Sequence, residues 1–206
     1  MAADERSARV SLAVQLTDAF APRERPLGEI AVTLRGLQRA PTVTPGGYRV
    51  FLNLPAGPAV VDVRGRLYLD ESQAVSVPPT NPRNPLLTVT LTPRWSYPFP
   101  EGTTLVLGRV LDPDGAALDG AQVELTGAGR QTRTSEDGRF VLYLTGLTEE
   151  EVTTSGSRLL VRSSGGGTAF TLRVRQAGFQ DAAVAIPEIE EGRTLRLAEP
   201  VAMHRT

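Results

Sequence analysis

The stretch GRVLDPDGAALDGAQVELTG, residues 108–127, holds three carboxylates, Asp112, Asp114 and Asp119, and four glycines between two runs of β-forming residues. Acidic side chains this close can act as a general acid and base, or can collect oxygen ligands for Ca²⁺. Two further acidic groups, Glu149–Glu151 and the set Glu188, Glu190 and Glu191, offer the same chemistry. All of them fall in predicted turns or connections, where carboxylates are ordinarily solvated. The DPDG segment is also shorter than a D-x-D-x-D-G calcium loop. Asp112, Asp114 and Asp119 would therefore take a calcium ion only where their loops converge.

Other chemistries lack their groups. A Ser or Thr nucleophile needs a base, normally His, and the single histidine, His204, lies near the C-terminus, where chains fray. There is no Cys, which removes disulfides and thiolate metal sites, and one His cannot build a zinc site. All 22 basic residues are Arg, so neither Schiff-base chemistry nor a P-loop Lys is available. The formal net charge of −1 creates no field for nucleic acid or an anionic membrane. Neither a signal-peptide core nor a run of about 18 apolar residues occurs. The expectation is a non-enzymatic protein without cofactor or membrane span, cytoplasmic or part of a particle released without a signal peptide.

Short strands are what must position these residues. RVSLAVQL (9–16), EIAVTLRG (29–36), YRVFLNL (48–54), AVVDVRGRLYL (59–69), LLTVTLTP (86–93), TLVLGRVLD (104–112), AQVELTG (121–127), RFVLYLTG (139–146), RLLVRSS (158–164), AFTLRVRQA (169–177), AAVAIPEI (182–189) and TLRLAEPV (194–201) each place apolar residues two apart. Period two over such lengths marks half-buried strands, and PGG, PAGP, DPDG, EDG and SSGGG supply the turns between them. Strand arginines such as Arg109, Arg162, Arg173 and Arg175 read as the polar face of a half-exposed sheet. In GLTEEEVTTSG, Thr148 and Glu151 have the spacing of a capping box, enough for one helical turn. The fold class is all-β, with antiparallel β-sandwiches.

The chain also repeats itself. Val32, Gly36 and Gly47 recur 91 residues later as Val123, Gly127 and Gly138, and VQLTD (14–18) corresponds to GRVLD (108–112). Two tandem sandwiches follow: an N-terminal one at 8–93 and a C-terminal one at 103–203. Residues 94–102, RWSYPFPEG, form a proline-rich aromatic linker between them. On an extended linker Trp95, Tyr97 and Phe99 would face one side, as a stacking platform for sugar rings, an anchor for a protein, or a plug between the sandwiches.

The second copy resembles the carboxypeptidase regulatory-like domain. The resemblance rests on Gly108, Val110, Asp112, Gly115, Leu118, Gly120, Ala121, Val123, Thr134, Asp137, Gly138 and Phe140, and covers residues 104–145 well. The first copy keeps Asp18, Pro26, Gly28, Val32, Gly47, Tyr48 and the NLPAGP turn (53–58). The resemblance implies a transthyretin-like, immunoglobulin-like β-sandwich. It brings no peptidase activity, because the zinc motifs of the catalytic domain are absent. Two tandem sandwiches without catalytic groups lead to the expectation of a structural or assembly module binding other proteins through edge strands and loops, as an accessory piece of a phage-tail-like or injection particle would. The alternative is a carbohydrate-binding module using the linker aromatics.

Overall fold

The structure, a computed structural model, describes residues 9–37, 39–79 and 83–206. The chain divides into two compact units, Met1–Ser96 and Tyr97–Thr206.

The first unit is built from β1 (Val10–Asp18), β2 (Ile30–Leu34), β3 (Thr42–Val43), β4 (Arg49–Leu52), β5 (Gly57–Gly65), β6 (Tyr68–Val77) and β7 (Leu86–Leu91). They form two sheets, ordered β3-β4-β1-β7 and β2-β5-β6. The alternation read in the sequence is what packs them: Leu12, Val14 and Leu16 of β1, Ile30, Val32 and Leu34 of β2, and Val61 and Val63 of β5 are all buried. Phe51, Tyr68, Val89 and Leu91 fill the remainder of this core.

The second unit comprises β8 (Thr104–Leu111), β9 (Gln122–Thr126), β10 (Arg130–Arg133), β11 (Arg139–Leu144), β12 (Val152–Ser155), β13 (Arg158–Val161), β14 (Phe170–Arg175), β15 (Ala182–Ile186), β16 (Thr194–Arg196) and β17 (Val201–Ala202). Its sheets run β10-β9-β14-β15 and β11-β8-β16, with β17 continuing along β8 and β12-β13 standing as a separate hairpin. Val106, Val110, Val123, Leu125, Phe140, Leu142, Leu172, Val174 and Met203 make the core. The one helical turn, Glu149–Glu151, lies where the capping box placed it, with the Thr148 N–H and hydroxyl donating to Glu151 Oε2 at 2.9 and 3.0 Å.

The sequence repeat is a repeat of pairing. β1 lies between an antiparallel partner, β4, and a parallel one, β7; β8 lies likewise between antiparallel β11 and parallel β16 and β17. β5 is flanked by β2 and β6, as β14 is by β9 and β15. Each sandwich, expected to be antiparallel throughout, thus carries parallel pairings beside its antiparallel ones. The copies diverge where β3 pairs with β4 but β10 pairs with β9, at the β12-β13 hairpin, which the first unit lacks among its described residues, and where two strands, β16 and β17, replace β7.

Two strand boundaries differ from the sequence reading. Residues 59–69 are not one strand: the chain turns at Arg66–Leu67 and continues as β6, whose Asp70 and Glu71 hide its period. Residues 194–201 break into β16 and β17 because the register shifts between them: Thr194 pairs with Leu105 but Val201 with Val110, so seven residues run beside five of β8. The C-terminus is not frayed either, as Gln180 N–H donates to His204 O at 2.7 Å and Thr206 N–H to Gly178 O at 3.2 Å.

Candidate functional site

The three aspartates of the opening stretch do not converge. Asp112 Oδ1 accepts the N–H groups of Asp114 at 3.0 Å and Ala116 at 2.8 Å, and Gly115 N–H returns to Asp112 O at 3.0 Å. This is an aspartate turn closing on its own backbone. Arg205 is the cation it meets, at 2.7 Å from Asp114 and 3.7 Å from Asp112. Asp119 is exposed and its carbonyl lies 3.5 Å from Gln176 Nε2. Among the described residues, no group of three His, Cys, Asp or Glu could hold a metal ion. The other motif residues serve the same corner. Thr134, buried, donates its hydroxyl to Leu118 O at 2.6 Å and accepts Ala121 N–H at 2.9 Å. The Asp137 carboxylate accepts from the Ser135 hydroxyl and the Arg139 N–H. Partial burial alone would raise the Asp137 pKa, but these bonds and the Arg139 charge outweigh it and leave the pKa lowered. Asp112→Ala is expected to cost about 1 kcal/mol of unfolding free energy by loss of its turn bonds. Arg205→Ala, losing an exposed ion pair, should cost less than about 0.5 kcal/mol by the same urea titration.

The matching residue of the first copy, Asp18, is only 1% exposed. Its Oδ1 accepts Phe20 N–H at 2.8 Å and Ala21 N–H at 3.3 Å, and its Oδ2 takes the Tyr68 hydroxyl at 2.7 Å. The same hydroxyl accepts Leu27 N–H at 2.8 Å. Period two across residues 59–69 puts Tyr68 out of phase with the apolar positions, and nothing in local spacing pairs it with Asp18, fifty positions away.

Three of the other candidate carboxylates, Glu151, Glu188 and Glu190, have hydrogen-bond or ion-pair partners. Glu188 pairs with Arg158, and Glu190 lies 3.7 Å from Arg193. An open cleft of about 830 Å³ in the second unit is lined by Glu124, Arg130, Glu150, Glu151, Arg162 and Ser163, among others. The backbone N–H of Thr148, then its hydroxyl, hold the Glu151 carboxyl below its ordinary range. That is the opposite of what a general acid needs. Arg130 donates to Thr145 O at 3.0 Å, and Glu124 lies 3.7 Å from Arg175, which also reaches Asp181. Arg109 donates to Asp137 O at 2.9 Å.

The aromatic segment turns instead of extending. Pro93 bridges to Tyr68, Arg94 N–H donates to Leu67 O at 2.8 Å, and a turn follows at Trp95–Ser96. Trp95 is half-buried and belongs to the first unit, whereas Tyr97 and Phe99 belong to the second. Tyr97 is 6% exposed and packs on Phe99 at 4.8 Å between ring centroids, and Phe99 packs on Tyr143 at 5.8 Å. Tyr97 and Phe99 thus pack within their own unit, and the chain turns at Trp95–Ser96 where the sequence reading expects an extended linker.

A different feature stands open. β7 pairs with β1 in continuous register from Leu86 to Leu91. Ala13 N–H donates to Pro85 O at 2.7 Å and Ala19 N–H to Leu91 O at 3.0 Å, so the odd-numbered residues of β7 face β1. The backbone groups of Leu86, Thr88 and Thr90 point the other way. Among the described residues no strand pairs with them there, and the next outward carbonyl, Thr92 O, is already taken by Leu69 N–H at 2.9 Å. Beside this edge, the outer sheet face carries Val10 at 43% exposure, Tyr48 at 37% and Leu86 at 36%. Cross-strand register sets Ala13 between Val50 and Leu86 on that face.

No family model matches the chain and no curated protein does. Among solved structures it is similar to the Bacillus anthracis TIE protein, with 13% identity over 97% of this chain and 34% of that one, at a TM-score of 0.32. A streptococcal ancillary pilin shares 14% identity over 98% of this chain and 63% of its own, at 0.30. The shaft pilin SpaA of Lactobacillus rhamnosus GG shares 9% over 97% and 99%, at 0.31. The chain thus spans about a third of the TIE protein and under two thirds of the ancillary pilin. Likenesses this distant carry no function across.

Proposed function

We propose that the chain is a non-catalytic assembly module that binds other proteins by strand addition at a sheet edge. The observation that carries this reading is the edge of β7, where the outward backbone groups of Leu86, Thr88 and Thr90 pair with no strand among the described residues. An edge of this kind is a template for another extended strand. The second unit is read as a carboxypeptidase regulatory-like domain, on the support of motif residues, Asp112, Thr134, Asp137 and Gly138, that close its strand-turn-strand corner. An accessory place in a phage-tail-like or injection particle would suit such a module.

The test is co-expression with the products of adjacent genes, followed by gel filtration. A complex lost in Thr88→Pro, with one of these products or with a second copy of the chain, is expected; a chain that forms neither sinks the reading. Carbohydrate binding is the alternative, and with Tyr97 buried it falls to the half-buried Trp95. Glycan arrays are expected to be blank, and sugar binding abolished by Trp95→Ala would replace the assembly reading.

A further inference from the structure

Among the described residues, the edge of β7 lacks the devices that blunt β3 and β6 in its own unit and the matching strand of the second unit. Natural sheet edges are blunted by charge, proline, bulges, brevity or inward-pointing charged residues. β3 is two residues long, and Pro41 and Pro45 lie close on either side. β6 carries Asp70 on its edge, and Glu71 pairs opposite the buried Val63, which turns its carboxylate toward the sandwich interior. At β2 a tight turn closes over the free side, with Leu37 N–H donating to Leu34 O at 3.0 Å. The instructive comparison is the second unit, where the strand parallel to β8 occupies the place that β7 holds beside β1. There it is split into β16 and β17, with Arg196, Glu199 and Pro200 in the same stretch. In β7 the corresponding residues read LLTVTL, without charge, proline, glycine or register shift. One copy of a repeated edge is guarded and the other is not.

On the assembly reading above, we infer that β7 pairs antiparallel with β7 of a second copy of this chain, about a twofold axis at Thr88. Three observations favour a copy over a foreign strand. The edge has no charge with which to select a partner of opposite sign, and none that would oppose its own image. Centred on Thr88, the strand is self-complementary in side chains: Leu87 faces Val89 of the copy on the inner side, and Thr88 faces Thr88 on the outer side. Threonine pairs are favourable cross-strand neighbours, and Leu87 against Val89 keeps apolar surface together on the inner side. The same centre also matches the backbone. Leu86 meets Thr90, Thr88 meets Thr88 and Thr90 meets Leu86, and all of these carry outward-pointing groups, giving about six hydrogen bonds in the antiparallel pattern. Any register displaced by one residue would set outward groups against inward ones. Closed twofold pairing uses the edge up and stops at a dimer.

Sedimentation of the full chain over a range of concentrations tests this. The expected species is twice the 22.1 kDa monomer mass. Thr88→Pro removes an N–H that points away from β1, so the native ladder is kept while two bonds per dimer are lost. Dimerisation should weaken about tenfold or more. Thr88→Lys, which sets two ammonium groups against each other, should do the same and serves if the proline variant fails to fold by circular dichroism. The chain has no cysteine, so Thr88→Cys is expected to give a covalent dimer on mild oxidation, and Thr33→Cys, exposed on the other sheet, is expected to give none. A wild-type chain that stays monomeric, an assembly that grows past the dimer, or a dimer indifferent to both Thr88→Pro and Thr88→Lys overturns the inference. A monomeric chain whose complex with a neighbouring gene product is lost in Thr88→Pro would overturn the inference alone and leave the assembly reading standing.

Discussion

Gly138→Ala is expected to destabilise the protein by about 3 kcal/mol or more, whereas Gly115→Ala should cost about 1 kcal/mol. Both glycines have left-handed backbone, with φ of +75° and +82°. A β-carbon at Gly115 meets nothing within 4 Å, so only the conformational cost applies. At Gly138 it would stand 2.5 Å from Val110 O and 3.3 Å from Ala117 Cα, atoms of the backbone. Val110 cannot easily withdraw, because its N–H donates to Gly138 O at 2.8 Å and β8 is fixed on both sides by β11 and β17. Strain and overlap therefore add. Urea denaturation followed by circular dichroism separates the two, and equal losses would show that the overlap relaxes at no cost.

Tyr68→Phe is expected to cost about 2 kcal/mol, since a hydrogen bond to a charged acceptor is removed in the interior along with the acceptor for a backbone N–H. The hydroxyl joins Asp18 to Leu27 N–H, and Tyr68 is itself 1% exposed. No other group can slide into so tight a place. A double-mutant cycle with Asp18→Ala should show coupling of at least about 1 kcal/mol, as expected of directly bonded buried partners. Additive losses would mean that the two side chains act independently. The comparison with Asp112→Ala is informative because Asp18 and Asp112 hold matching places in the two copies. Asp112 closes a surface turn; Asp18 anchors a buried tyrosine.

That contrast also marks how far the sequence could be read. Alternation located β1, β2, β7, β8, β9 and β11 because their two faces see such different surroundings: Leu12, Val14 and Leu16 are buried and Ala13, Gln15 and Thr17 are not. The repeat was legible through Val32 with Val123 and Gly47 with Gly138, which share a strand place or a positive φ. β6 was not, because an edge strand with Asp70 and Glu71 has one wet side and loses its period. β10 and β12 were missed as well, being short and rich in Arg and Thr. At the site, the turn roles of Asp112 and Asp137 could be read from their neighbours in the chain. The Asp18–Tyr68 bond could not, since long-range pairing leaves no local mark. The edge of β7 was written in plain view as LLTVTL, but only strand order reveals that no other strand of the described residues stands beside it.

The parallel pairing of β1 with β7 has a mechanical consequence. These are the first and last strands of the first unit, lying side by side and pointing the same way. A pull on the two ends of the unit drags them past each other lengthwise, so the bonds from Pro85 to Leu91 bear the load together rather than being unzipped one at a time. β8 with β16 and β17 repeats the arrangement. Each unit is thus wired to resist tension along the chain, and resistance of that kind is governed by how fast a unit unfolds, not by how stable it is at rest.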